Sequence, residues 1–245
     1  MSEKFTTRAP KSFDKEATQE KTKKLLKQLS EMQNVLYAQS KYSILIVMQG
    51  LDAAGKDGAI KNIFSGVNPM GCSVTSFKAP NKEELSHDFL WRIHKVTPAK
   101  GMIQIFNRSH YEDVLVPVVE KWIDKKEIQK RFDTINSFEK SLQQHNNTVI
   151  FKFFLNISKE KQKEKFQERL SDPSKRWKYN PEDMKAASKY DQYLSAYKNV
   201  IKNCGPKTPW TIVPSDQNWF KEYTIAKTLV DRLKKLKLEF PKAKM

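Results

Sequence analysis

The stretch "GLDAAGKDG", Gly50 to Gly58, directly follows the apolar run "SILIVMQ" and holds three of the chain's seven glycines. Gly50, Gly55 and Lys56 satisfy G-x-x-x-x-G-K, a loop whose backbone N–H groups surround a phosphate while the lysine reaches across it. The next segment, "DGAIKNIFSGV", puts Ile60, Ile63, Phe64 and Val67 on one helical face. Strand, glycine-rich turn and helix in that order set an anion against a helix N-terminus, a setting that an accidental glycine-rich turn lacks. Ala53, Ala54 and Gly58 complete the loop and are read as phosphate-binding with Gly50, Gly55, Lys56 and Asp57.

Such a loop needs a strand to launch it and a sheet to bury that strand. Five short β-type runs supply one: "SILIVMQ" (43–49), "CSVTSFK" (72–78), "MIQIFN" (102–107), "TVIFKFFL" (148–155) and "PWTIVP" (209–214). The segments between them, such as "KEELSHDFLWRIHKV" and "KEIQKRFDTINSFEKSLQQHN", are long enough for crossover helices. The alternation predicts an α/β fold with a mainly parallel sheet covered on both faces. Leu25, Leu29, Met32 and Leu36 predict an amphipathic helix ahead of the first strand, and residues 1–15 read as a flexible arm before a single domain over 16–240.

Position 57 breaks the loop motif, because Asp57 stands where Ser or Thr normally binds magnesium. Two carboxylates, Asp52 and Asp57, beside a phosphate repel it unless a cation lies between, and magnesium bridges carboxylate to phosphate. Asp57 reads equally well as a carboxylate stabilising a helix N-terminus. After "MIQIF", the residues Asn107, Arg108, Ser109, His110, Tyr111, Glu112 and Asp113 emerge from a strand end, where ligands bind in open parallel sheets. Asn107 replaces the usual metal-organising Asp, and Glu112 is the nearest acid to take its place. Arg108 has the geometry to grip a phosphoryl oxygen and offset charge during transfer. His110 reads as a hydrogen-bonded structural histidine.

A third cluster lies in "ERLSDPSKRWKYNPEDMK" (168–185), where Arg169, Lys175, Arg176 and Lys178 surround Pro173 and Trp177. Cations on a mobile segment after the fourth strand would close on a polyphosphate and exclude water; a solvated basic loop is the alternative. The net charge of +17 points to a polyanionic partner: nucleic acid, an anionic membrane surface, or a phosphorylated small molecule or polymer. Cys72 and Cys204 form neither a disulfide framework nor a zinc motif. Without a secretory h-region or an 18-residue apolar run, a soluble, cytoplasmic protein is expected, with no membrane association.

With the three clusters in place, the chain resembles the polyphosphate kinase 2 family from about residue 15 to 235. The resemblance rests on "GLDAAGKDGAIK", "FKAPNKEELSHDFLWRIHK", "IFNRSHYEDVL", "RLSDPSKRWKYNPEDMKAASKYDQYLSAYKNVI" and "PWTIVPSDQNWF". It implies a thymidylate-kinase-like P-loop fold, three layers around a five-stranded parallel sheet with a helical lid. It also implies transfer of phosphoryl groups between inorganic polyphosphate and nucleotides, with Mg2+ (or Mn2+) as cofactor. By position, Asp52 and Lys56 match the family's first motif, Asn107 and Arg108 its second, and Arg169, Lys175 and Lys178 its lid. Asp52, Lys56, Arg108 and Glu112 are then the expected catalytic set; Asp52, Asp57 and Glu112 the metal set; and Arg92, Asn107 and Arg108 the nucleotide set.

The form "NRSHYED" resembles the subgroup that phosphorylates both mono- and diphosphates, so AMP, ADP and ATP are expected partners, with GMP, GDP and GTP beside them. A homo-oligomer, dimer or tetramer, is expected, and no specific nucleic acid. Val118 departs from the pattern, standing where the family would carry an Arg. Two other readings share these features. One is a nucleotide kinase with a nucleoside triphosphate donor; the other is a P-loop protein whose cations serve nucleic acid. Asp57 and the excess charge weigh against the first, and the absence of an RNA-binding aromatic motif against the second.

Overall fold

The computed structural model describes residues 5–242. All five expected runs form strands: β1 (Ser43–Gly50), β2 (Cys72–Ser76), β3 (Ile103–Asn107), β4 (Thr148–Asn156) and β5 (Trp210–Pro214). They make one sheet in the order β2-β3-β1-β4-β5, parallel throughout. Every residue of β1 is buried, the reason it reads as an unbroken apolar run instead of an alternating one. At the edge, β2 is short and largely exposed.

Ten helices connect and cover the sheet among the described residues: α1 (Lys15–Gln39), α2 (Lys56–Phe64), α3 (Lys82–Leu85), α4 (Trp91–His94), α5 (Glu112–Val119), α6 (Lys125–Asn146), α7 (Lys159–Ser171), α8 (Pro181–Ser188), α9 (Tyr190–Cys204) and α10 (Asn218–Leu233). One layer packs α1 and α2 with α10, and another packs α5 and α6 with α9, leaving the central strands buried between them. Leu29 and Leu36 of α1 are buried as their spacing predicts. No described helix is long and apolar enough to cross a membrane.

Three expectations are corrected. The run 82–96 is not one helix: a capping box between Asn81 and Glu84 starts α3, and Asp88 Oδ1 then accepts from the Leu90 N–H (2.9 Å), turning the chain before α4. The arm is not free over residues 5–14. Phe5 packs on Phe154, the Thr6 carbonyl accepts from Asn156 Nδ2 (3.0 Å), the Thr7 carbonyl accepts from the Asp216 N–H (2.9 Å), and the Ala9 N–H donates to Gln217 (2.9 Å). The strand ends of β4 and β5 offer polar groups that this segment satisfies, which ties it down; residues 1–4 of the expected arm lie outside the described residues. The excursion at 168–185 is mostly regular structure, comprising the end of α7, a 3-10 turn at Arg176–Lys178 and the start of α8.

Candidate active site

The sheet delivers two loops side by side. In the β1–β3 register Met48 lies opposite Asn107, so Gly50 leaves one strand just beyond the point where Arg108 leaves its neighbour. Gly50 is required where it stands, since a Cβ there would come within 2.7 Å of the Leu155 carbonyl oxygen. The loop then turns through left-handed conformations at Ala53 and Gly55, and Gly55 is the N-cap of α2 without any side-chain capping bond. The first N–H groups of α2 are thereby left for an anion.

Lys56 is buried and donates to the carbonyls of Gly50 (2.7 Å) and Leu51 (3.3 Å), so its ammonium folds back on its own loop. Burial, and then the nearby Arg108 guanidinium, lower its proton affinity below that of an ordinary lysine. A phosphate set in the loop would relieve both effects.

Arg108 occupies a left-handed conformation (φ 62°), uncommon for a residue with a Cβ, and this turns its side chain back across the loop. Its guanidinium bonds Asp52 (2.5 Å) and lies 3.6 Å from Glu112. Burial works against its charge, but Glu112 and Asp52 outweigh that and hold the guanidinium more firmly protonated. Gln49, with its amide oriented to satisfy both ends, donates to Glu112 Oε1 (2.9 Å) and accepts from Ser109. Gln162 of α7 secures the Asp52 carbonyl (2.9 Å).

The two departures from the phosphate-loop pattern explain one another. Asn107 Nδ2 donates to Asp57 Oδ1 at 2.9 Å. An ordinary loop has a hydroxyl at the helix start and a carboxylate at the strand end; here carboxylate and donor have exchanged places, so one acid and one donor still meet. An Asp at 107 would face Asp57 with like charge. Burial alone would raise Asp57, yet the Asn107 bond, Lys178 and Lys56 together keep it below the usual aspartate range.

Magnesium ordinarily takes one or two carboxylates and completes its shell with phosphate oxygens and water. Asp52 and Asp57 are hard oxygen donors of that kind. The expected trio does not converge, however, since no three His, Cys, Asp or Glu side chains among the described residues are arranged to hold an ion. Glu112 is engaged by Arg108 and Gln49 instead. The donor set fits an ion that arrives with phosphate, not an all-protein cage.

A cleft of about 1430 Å³ opens beside Asp52, Arg108 and Glu112, walled by Phe77, Phe89, Pro117 and Tyr193. Arg92, expected in the nucleotide set, lines it, and its guanidinium is occupied by the Lys78 carbonyl (2.9 Å) and by Glu84 (3.4 Å), with Asp113 at 3.6 Å. Burial pushes the Asp113 carboxyl up to about 6 despite Arg92 and Arg131.

Of the 168–185 cations, Lys178 alone reaches the loop, at 3.6 Å from Asp57. Arg169 bonds Asp183 (2.9 Å), Lys175 bonds Glu168 (2.6 Å) and Arg176 bonds the Leu170 carbonyl (3.2 Å). Val118 is half-buried against the core, where an apolar side chain is the fitting one. His110 is buried but not hydrogen-bonded as expected: Glu139 is 3.6 Å away and neither ring nitrogen has a closer partner, while burial pushes its proton affinity down. Glu139 gives its better bonds to Lys152 (2.7 Å) and Tyr111 (2.6 Å).

Residues not singled out from the sequence also gather here: Gln49, Gln162, Tyr193, Lys165 and Lys221. Two of them left a signal. Lys161, Lys165 and Arg169 recur every four residues, hence on one face of α7, and Lys221 falls in the first turn of the helix after the last strand.

Residues 12–241 match Polyphosphate kinase 2 (PPK2). The chain belongs to that family. It is 41% identical over 228 residues to the AMP/ADP-polyphosphate phosphotransferase of Meiothermus ruber, covering 93% of this chain and 85% of that protein. It is 36% identical to the ADP-polyphosphate phosphotransferase of Rhodopseudomonas palustris, covering 88% and 79% respectively. Among solved structures it resembles the polyphosphate kinase 2 of Arthrobacter aurescens TC1, with a TM-score of 0.89 and 37% identity over 98% of this chain and 91% of that one. The expected family and fold are both borne out.

Proposed function

We propose that this family member transfers the terminal phosphoryl group of inorganic polyphosphate to nucleoside mono- and diphosphates, AMP to ADP and ADP to ATP, reversibly and with magnesium or manganese. Guanine nucleotides are further acceptors. The observation that carries the reading is Arg108, held between Asp52 and Glu112 where the phosphate loop meets the large cleft. An acceptor nucleotide would lay its base against Phe77 and Phe89 and bring its terminal phosphate to Arg108. Lys56 would turn from its loop carbonyls to the donor phosphoryl group, and the two cations would offset the charge spread over the transferring oxygens. Lys178 would lie over the donor from the segment after α7, excluding water as a lid does.

Asp52 and Asp57 would hold the metal ion, which would supply positive charge to neutralise the phosphates. Likeness to an AMP/ADP-polyphosphate phosphotransferase over nearly the whole chain supports the two-acceptor reading. The test is a time course with AMP and polyphosphate, free of adenylate kinase. ADP should rise first and ATP follow, excess chelator should stop both, and Glu112→Ala should impair one step more than the other. Arrest at ADP, or indifference to AMP, would refute the two-acceptor reading; transfer from ATP but not from polyphosphate would refute the donor.

A further inference from the structure

β1 runs apolar from Ile44 to Met48 and then carries an amide, Gln49, whose side chain is fully buried. Such a group destabilises its strand unless both of its ends are bonded. In the orientation that achieves this, the Gln49 oxygen accepts from the Ser109 N–H (3.3 Å) and hydroxyl (3.0 Å), and the nitrogen donates to Glu112 Oε1 (2.9 Å). The opposite orientation would set the amide oxygen against the carboxylate. The nitrogen also faces, at 3.5 Å, the Tyr197 hydroxyl, which accepts from the Gly50 N–H (3.1 Å).

Glu112 therefore makes its close bond to a neutral donor, while the Arg108 guanidinium stays 3.6 Å from its other oxygen. A carboxylate free to move beside a guanidinium closes to about 2.8 Å and often engages two of its N–H groups. Asp52 does close on Arg108, at 2.5 Å, and no other side chain among the described residues bonds its carboxylate. What separates the two acids is the amide that holds one of them. Gln49 does not line the cleft, so any effect it has on a bound nucleotide passes through Glu112.

We infer that Gln49 is a positioning residue that holds Glu112 off Arg108 and keeps one edge of the guanidinium open to the acceptor's phosphate. This rests on the acceptor reading above. If Glu112 closed, two carboxylates would fill the guanidinium and offset its charge before a phosphate arrived. A neutral amide suits the task, since a cation in its place would neutralise Glu112 and a carboxylate would repel it.

The experiment is a double-mutant cycle in the full chain: Gln49→Met, which keeps an unbranched side chain and removes the amide, Glu112→Ala, and both together, each assayed with AMP and with ADP. Gln49→Met should lower kcat/KM about ten-fold in the step that Glu112→Ala impairs more, as expected for loss of one hydrogen bond to a charged group, and leave KM for polyphosphate unchanged. In the Glu112→Ala background the same substitution should change nothing, because the group it restrains is gone. A glutamine that served only the fold would cost activity equally in both backgrounds, so additive losses would overturn the inference. A crystal structure of Gln49→Met should show Glu112 within hydrogen-bond distance of Arg108; a carboxylate that still stands off would overturn it too. If Gln49→Met does not fold, Ser109→Ala decides: it removes the hydroxyl that orients the amide, and its smaller loss should likewise vanish in the Glu112→Ala background, additivity again counting against the restraint. A wild-type protein that phosphorylates neither AMP nor ADP would instead overturn the acceptor reading, while the crystal structure of Gln49→Met would still test the restraint.

Discussion

The two sides of the phosphate loop differ in how their charges are balanced. Towards the cleft, cations and acids alternate: Arg108 is bracketed by Asp52 and Glu112, Arg92 by Glu84 and Asp113, and Arg169 is paired with Asp183. Towards α7 and α10, Lys56, Lys165 and Lys221 have no acid partner within ion-pair distance among the described residues. A balanced site can orient a small ligand with modest charge. An unbalanced one stores electrostatic repulsion that a dense polyanion relieves on binding. Three lysines are therefore left uncompensated on one side of the loop, while the cations on the other side are paired.

The largest effect should come from the point shared by both sides. Lys56→Ala and Asp52→Ala should each lower transfer by about 100- to 1000-fold, the usual cost of one preorganised charge contact. Asp52 lies in the loop and Lys56 at the first position of α2, both at the end of the sheet and outside its core, so circular dichroism should show an intact fold. Near-normal turnover by Lys56→Ala would break the comparison at its centre. A smaller loss, about ten-fold, is expected for Lys178→Ala, which removes the cation nearest Asp57. That loss should be read in KM for polyphosphate.

A pH titration sharpens the contrast. Burial, then Lys165 and Lys56, push the Lys221 ammonium down to about 7 from 10.5, with Glu222 opposing. A bound polyanion favours the charged form and so raises that value, which makes binding take up a proton. Polyphosphate affinity should therefore fall as pH rises above about 7, and Lys221→Met should flatten that fall. The same group makes stability rise with pH between about 7 and 10.5. In that window the unfolded lysine still holds a proton that the folded one has lost. A wild-type affinity independent of pH, matching Lys221→Met, would erase the difference between the two sides. The smallest effect is expected for Lys175→Ala, whose exposed ammonium pairs with Glu168 and Asp172; its urea midpoint should match wild type.

The loop and its strand were legible because Gly50, Gly55 and Lys56 need a fixed spacing and β1 needs an unbroken apolar run. Arg108 and Glu112 were legible as residues of a strand end, but not as a bracket with Asp52. That bracket depends on the left-handed turn at Arg108 and on β3 lying beside β1. The break between α3 and α4 was missed because its apolar spacing is helical, and the turn is made by one side chain, Asp88. The cations at 168–185 were read as closing on a polyphosphate or as a solvated basic loop, whereas Arg169 and Lys175 satisfy acids of their own segment.

By itself the sequence determined the order of the strands along the chain and the phosphate loop, because each rests on spacing within a short stretch, and the family, because the resemblance runs through five blocks along the chain. Tertiary structure alone decided which charges meet. Lys56, Lys165 and Lys221 belong to three helices separated by more than 50 residues at each step, and nothing local distinguishes Lys165 from Lys161 on the same face of α7. A side chain's charge is written in the chain, but the partner that neutralises it, or fails to, depends on which helix the sheet brings alongside.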